Sequence, residues 1–151
     1  MKTLGIHLAK GQLRYAVLDG SATTPALVAK DRLITTNPDE VPVLMDWFDT
    51  QFRELLDTHK PDRVGYRLTL EPKKDQLFSS EFPLGILNLH AFQRSLPIFD
   101  YTARSFVPSR LGEPKETDLE ELCTTRFGDN PPYWDKNQKY AVLVAWFALG
   151  E

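Results

Sequence analysis

The segment from Thr3 to Asp19 constrains the fold more than any other part of the chain. Two runs of apolar residues, alternating with smaller or polar ones, lie on either side of Lys10-Gly11: Leu4, Ile6 and Leu8 before it, Leu13, Tyr15 and Val17 after it. Alternation with a period of two is typical of β-strands with one buried face, and a turn residue such as glycine suits the link between them. The sequence therefore predicts a β-hairpin in this segment.

The residues after the hairpin predict strands alternating with helices. A strand, a long helix and a further strand form a crossover, so the fourth strand should run parallel to the first. Pro83 is expected to kink the second helix or to mark its true start, and Thr117 is a candidate cap of the third. The overall order of elements is βββαβαβαα, with strands at residues 26–36, 63–70 and 96–102 and helices at residues 39–59, 77–95, 115–126 and 135–149.

Bulk properties favour one soluble domain covering residues 1–151. The formal net charge of −3 argues against non-specific binding to nucleic acid, although it leaves a local basic patch open. A single cysteine, Cys123, excludes an internal disulfide and is typical of a reducing compartment. No secretory signal is evident, and the longest apolar run, at residues 140–149, is far shorter than the ~20 residues that cross a bilayer. We therefore expect a cytoplasmic protein with no membrane association.

Three segments carry a resemblance to a known family: the hairpin, the stretch KPDRVGYR that ends at Arg67, and the stretch LPIFDYTAR that ends at Arg104. They resemble the RNase H-like superfamily, in particular the RuvC-type Holliday-junction resolvases, and a short, uncharacterised bacterial family of RuvC-like domains. The resemblance implies an α/β fold, with a mixed five-stranded sheet covered by helices on both faces. It also implies a homodimer.

The same resemblance implies where a catalytic metal site would lie. These enzymes use three or four carboxylates to hold two Mg²⁺ ions at a phosphodiester. The first position falls on His7 and the second on Arg67. The last pair falls on Lys136 and Lys139 or, one residue later, on Asn137 and Tyr140. No acid occupies any of these positions, so the simplest inference is a pseudonuclease without a metal cofactor that binds nucleic acid or another protein.

Two interpretations of the replaced site stay open. In one, Arg67 with Lys136 or Lys139 binds a phosphate directly, because a guanidinium matches phosphate oxygens, and Tyr66 and Tyr140 stack on a base. In the other, the site is filled in, the two lysines are solvated, and Arg67 forms an ion pair with one of two acids, Glu71 or Asp135.

Two other functional classes are considered. A rearranged nuclease that uses Mg²⁺ or Mn²⁺ would have to draw on the acids Asp19, Glu71, Asp100 and Asp135. An interaction protein would use the aromatic residues near the C-terminus, Trp134, Trp146 and Phe147, and the apolar loop Pro131–Trp134, because aromatic side chains dominate binding hot spots. The alternative is that a tryptophan in such a place caps the core.

Overall fold

Five strands form one mixed sheet in the computed structural model, which describes residues 1–151. In chain order they are β1 (Lys2–Ala9), β2 (Gln12–Gly20), β3 (Pro25–Ile34), β4 (Arg63–Arg67) and β5 (Ile98–Tyr101). Their spatial order is β3-β2-β1-β4-β5. The first three strands are antiparallel, whereas β4 runs parallel to β1 and β5 parallel to β4. The predicted hairpin and crossover are confirmed.

Helices cover both faces of this sheet, as the resemblance implies. They are α1 (Val41–His59), the single turn α2 (Lys74–Gln76), α3 (Phe82–Gln93), α4 (Leu119–Phe127) and α5 (Lys136–Leu149). The prediction for α4 is wrong at its start: Asp118, not Thr117, caps the helix, and its carboxylate accepts bonds from the Glu120 and Glu121 amides. No helix has both the length and the apolarity needed to span a bilayer.

The alternation along the strands decides which side chains meet which helices. Leu4, Ile6 and Leu8 of β1 pack in the core beneath α1 and α3. The intervening residues, Thr3, Gly5 and His7, all contact α5 on the opposite face. In β4, Val64 and Tyr66 likewise lie on the α1 side, whereas Gly65 and Arg67 lie on the α5 side.

A row of small residues lets α5 approach the sheet closely. Gly5 lies beside Ala16 of β2 and Gly65 of β4 in the strand register. A Cβ atom on Gly5 would overlap the carbonyl oxygen of Ala141 in α5, and one on Gly65 would lie 2.5 Å from the carbonyl oxygen of Val144. The helix therefore rests directly on strand backbone, and its position has little freedom.

Two buried hydrogen bonds fix how far α5 extends along the sheet. The Thr3 hydroxyl donates to the carbonyl oxygen of Ala145 at 2.8 Å, and the Gln138 amide donates to the carbonyl oxygen of Tyr15 at 2.7 Å. Buried polar groups need such partners, so both bonds favour this position of the helix. As a result the first turns of α5 lie at the carboxyl ends of β1 and β4.

Pro83 shapes the segment before α3. Proline has no amide hydrogen, and its ring conflicts with the carbonyl group four residues earlier. The preceding residues, Leu77–Glu81, form a π-helical turn, and the amide of Phe82 donates to the carbonyl oxygen of Leu77, five residues back. The regular helix begins at Phe82. Of the two alternatives predicted for Pro83, a kink within the helix or its true start, the second is therefore confirmed.

Candidate functional site

The carboxyl ends of β1 and β4 meet the first turns of α5 at four side chains. The His7 Nε2 and Asn137 Oδ1 atoms are 3.1 Å apart. The His7 ring meets the Tyr140 ring edge to face, with centroids 5.2 Å apart. The Arg67 guanidinium carbon lies 4.0 Å from the centroid of the same tyrosine ring. These residues surround the place where the resemblance implies a metal site.

His7 is neutral at physiological pH. Only 6% of the residue is exposed, and burial, together with the nearby Arg67 charge, lowers the pKa of His7 to about 4. The Nε2 atom donates to Asn137 Oδ1, so the other ring nitrogen, Nδ1, carries a lone pair. That Nδ1 atom is buried and has no hydrogen-bond partner. His7 therefore brings neither an anionic ligand nor a positive charge.

Arg67 has no acidic partner. No carboxylate oxygen lies within ion-pair distance of its guanidinium, and none of its nitrogens makes a hydrogen bond within the protein. The group lies on the Tyr140 ring and 5.2 Å from the centroid of the Phe106 ring. Cation–π contacts position a guanidinium without neutralising it. The expected ion pair with Glu71 or Asp135 is wrong.

Asp135 is held by a different arginine. The Arg14 Nη1 and Nη2 atoms donate to the two carboxylate oxygens of Asp135 at 2.7 and 2.9 Å. Partial burial would raise the pKa of Asp135, but the hydrogen bonds from Arg14 and from the Gln138 amide lower it. Because Arg14 is only 3% exposed, this carboxylate balances a buried charge and caps α5 at the same time.

Among the other predicted cations and tyrosines, only Tyr140 contacts His7. Lys136 is exposed, with its Nζ atom 5.5 Å from the Tyr140 ring centroid. Lys139 lies instead against Trp134, at 5.9 Å from that ring, and does not join the group. Tyr66 points to the other face of the sheet, where its hydroxyl accepts a bond from Asn88. The residues of α5 that face His7 are thus Asn137 and Tyr140.

The remaining predicted acids lie apart. Asp19 pairs with Lys2 in the strand register, at the opposite end of β1 from His7, and contacts the N-terminal amine. Glu71 is exposed in the loop after β4, and Asp100 is exposed on β5. No three His, Cys, Asp or Glu side chains converge anywhere in the chain. Divalent Mg²⁺ needs several oxygen ligands, at least some of them anionic. The residues at this site do not fit a Mg²⁺ or Mn²⁺ pair.

A cleft of about 340 Å³ opens beside Arg67. Its walls include Lys10 and Asn137, together with residues that the sequence did not single out: Thr69, Asp75, Gln76, Ser79 and Ser80. Asp75 is its only acid. The last four belong to α2 and the π-helical turn, so the signal that could have found them is Pro83, which produces that turn.

The aromatic residues near the C-terminus are structural. Trp146 is fully buried and Phe147 is nearly so. The Trp134 indole donates to the Thr124 hydroxyl at 2.9 Å, which holds its ring against α4. Trp146 and Phe147 therefore belong to the core rather than to an interaction surface, as the alternative interpretation predicts. Cys123 is buried as well, and burial raises the pKa of its thiol to about 12.

The known proteins that this chain resembles, in sequence and in structure, include several Holliday-junction resolvases. No family model matches the chain. The crossover junction endodeoxyribonuclease RuvC of Petrotoga mobilis is 27% identical over 103 residues, which make up 68% of this chain. The chain spans 63% of the length of that curated relative.

Two solved structures cover nearly the whole chain. RuvC of T. thermophilus in complex with a Holliday junction superposes with a TM-score of 0.77 and 16% identity, over 97% of this chain and 92% of that one. The Fowlpox virus resolvase in complex with Holliday junction DNA gives a TM-score of 0.63 and 8% identity, over 99% and 97% of the two chains. At these identities the two structures establish the fold.

Proposed function

Because this chain has the RuvC-like form of the RNase H-like fold, we propose that it is a non-catalytic domain that binds nucleic acid at the ends of β1 and β4. The observation that carries the proposal is Arg67. It lies where the resemblance implies a metal ligand, is held in place by Tyr140 and Phe106, and has no carboxylate partner. A guanidinium in this state binds phosphate oxygens directly, so no metal is needed as a bridge.

The same residues support the proposed loss of cleavage. A metal-dependent nuclease needs carboxylates that hold its ions against the attacking and leaving oxygens. Here the four positions carry a neutral imidazole, a cation, an amide and a phenol, and Arg14 occupies the nearest helix carboxylate, Asp135. The related resolvases bind Holliday junctions, so we propose branched or duplex DNA as the partner and cytoplasm as the compartment.

An electrophoretic shift assay in EDTA tests this function. Four-way junction and linear duplex DNA should both be retarded, with an affinity that falls as salt rises. Arg67→Glu should weaken binding at least about 10-fold and reduce the salt slope by about 1, because one phosphate contact becomes a repulsion. Arg53→Glu, on the solvent-facing side of α1 across the sheet, is the matched charge control and should bind as the wild type does.

Three results would contradict the proposal. Equal binding by Arg67→Glu and wild type would remove Arg67 from the interface. No binding to any DNA would favour a protein partner. Cleavage with Mg²⁺ or Mn²⁺ that disappears in Glu71→Gln or Asp135→Asn would restore the rearranged nuclease.

We also propose that the chain forms a homodimer through α3. One face of this helix exposes Phe82, Leu89 and Phe92, with Gly85 between them; Phe92 is 81% exposed. Their spacing of three, four and three residues places them on a single stripe, and an exposed apolar stripe of this kind marks an interaction surface. Leu89→Arg should give a monomer by light scattering, whereas Val28→Arg, an exposed apolar position on β3, should leave a dimer. A wild-type monomer at high concentration would refute this interface.

A further inference from the structure

The cleft beside Arg67 has the composition of an anion site. We propose that it is a phosphate-binding cradle in which Ser80 and Asn137 donate hydrogen bonds to the phosphate oxygens and Arg67 supplies the charge. This inference rests on the proposed nucleic-acid binding and extends it, because it names the group that is recognised and two residues that recognise it.

The π-helical turn builds one wall of the cradle. Since Pro83 widens the turn before α3, both Ser79 and Ser80 lie at the cleft although each is more than nine-tenths buried. The Ser79 hydroxyl is used internally, donating to the carbonyl oxygen of Asp75 at 2.8 Å. The Glu81 carboxylate accepts a bond from the Thr69 amide, which ties the turn to the end of β4. Wide turns of this type recur at functional sites.

Ser80 differs from its neighbour. Its residue is 7% exposed, its side chain lines the cleft, and its hydroxyl makes no hydrogen bond within the protein. The hydroxyl oxygen is not among the fully buried unpartnered atoms, so it is reached from the cleft, where a ligand oxygen can accept its hydrogen bond in place of water. The hydroxyl is therefore a donor available to a group that enters the cleft.

Asn137 presents a second donor. Its Oδ1 atom accepts from His7 Nε2, which fixes the orientation of the amide. The Nδ2 group makes no bond within the protein and belongs to a residue that lines the cleft. His7 also lines the cleft, but it is neutral and its Nδ1 atom is buried, so it presents no accessible acceptor that would repel an anion.

The charges around the cleft suit a phosphate. Arg67 and Lys10 line it against one acid, Asp75. The Lys10 ammonium lies 3.8 Å from Asp39, with both groups well exposed, a pairing that is weak in water. The cradle thus combines a fixed guanidinium with two neutral donors, a set that matches a ligand made only of acceptors.

The experiment measures binding of inorganic phosphate and of a labelled oligonucleotide, in EDTA, to the full chain and four variants. Ser80→Ala and Asn137→Asp should each weaken phosphate and oligonucleotide binding about 10-fold, because each removes a donor to a charged acceptor. Ser109→Ala, an exposed serine on another surface, is the matched control and should have no effect. Arg67→Glu reports on the proposed function itself.

The outcomes separate the two proposals. If Arg67→Glu loses DNA binding while Ser80→Ala and Asn137→Asp retain it, the cradle is refuted and the binding function stands. If Arg67→Glu also binds DNA normally, both fail. A 5′-phosphorylated oligonucleotide that binds more tightly than its unphosphorylated form identifies a terminal phosphate as the ligand. Equal binding of the two forms, with competition by inorganic phosphate, identifies a backbone phosphate.

Discussion

His7 should make this protein sensitive to mild acid. In the unfolded chain its pKa is that of an ordinary histidine, 6.5, whereas in the folded protein burial and the Arg67 charge lower the pKa to about 4. Between these values the unfolded chain binds a proton that the folded protein excludes. The contribution of neutral His7 to stability is therefore fully present above its pKa in the unfolded chain, and it is lost as the pH falls toward its pKa in the folded protein.

The size of the effect follows from the two pKa values. Each unit of difference corresponds to about 1.4 kcal/mol, so the shift to about 4 makes a total loss of about 3 kcal/mol below both pKa values. Between roughly pH 8 and pH 5 the loss attributable to His7 is about 2 kcal/mol. That is a large fraction of the stability of a small domain, which is typically about 5–15 kcal/mol.

Urea denaturation of wild type and His7→Gln across this pH range isolates the histidine, since glutamine keeps a donor for Asn137 but does not titrate. The difference in unfolding free energy between the two proteins should change by about 2 kcal/mol from roughly pH 8 to pH 5, with the wild type losing more. Histidine NMR titration should place one apparent pKa near 4. Parallel pH curves for the two proteins, or a wild type that gains relative stability in acid, would refute the reasoning.

Three further predictions concern the frame of the site. Gly5→Ala should destabilise the fold by about 3 kcal/mol or more in urea denaturation, because its Cβ would collide with α5. Asp135→Asn should cost about 2 kcal/mol, since it leaves the buried Arg14 guanidinium without its anion, and a neutral result would contradict that pairing. A four-fold variant restores carboxylates at the metal-ligand positions: His7→Asp, Arg67→Glu, Asn137→Asp and Tyr140→Asp. Mn²⁺ should raise the melting temperature of this variant but not that of the wild type.

The sequence predicts the fold well where local pattern and topology agree. The alternation in Thr3–Asp19 defines the hairpin and its two faces, and the long helix between two strands defines the parallel pair β1 and β4. The alternation along the strands also places His7 of β1 and Arg67 of β4 on the same face of the sheet.

The position of α5 could not be predicted in the same way. The second half of α5 is buried on all sides, so its apolar residues do not indicate which side of the helix faces the sheet. The residues that face His7 could therefore be predicted only to within one position. What decides the register is contact with Gly5 and Gly65 and the bonds of Thr3 and Gln138, all of which join residues far apart in the chain. Only then do Asn137 and Tyr140, rather than the lysines, face His7.

The partner of Arg67 shows most clearly why a charge count is insufficient. An arginine that merely fills a vacated site should pair with the nearest carboxylate, and Asp135 caps the adjacent helix. Arg14, on the neighbouring strand, takes both oxygens of that carboxylate. Arg67 keeps its charge, and its Nε atom is buried without a hydrogen bond, a state that costs about 1–3 kcal/mol for such a group. The Nη atoms also make no hydrogen bond within the protein, so an oxyanion could accept from them, and this supports the proposed phosphate contact rather than a filled-in site.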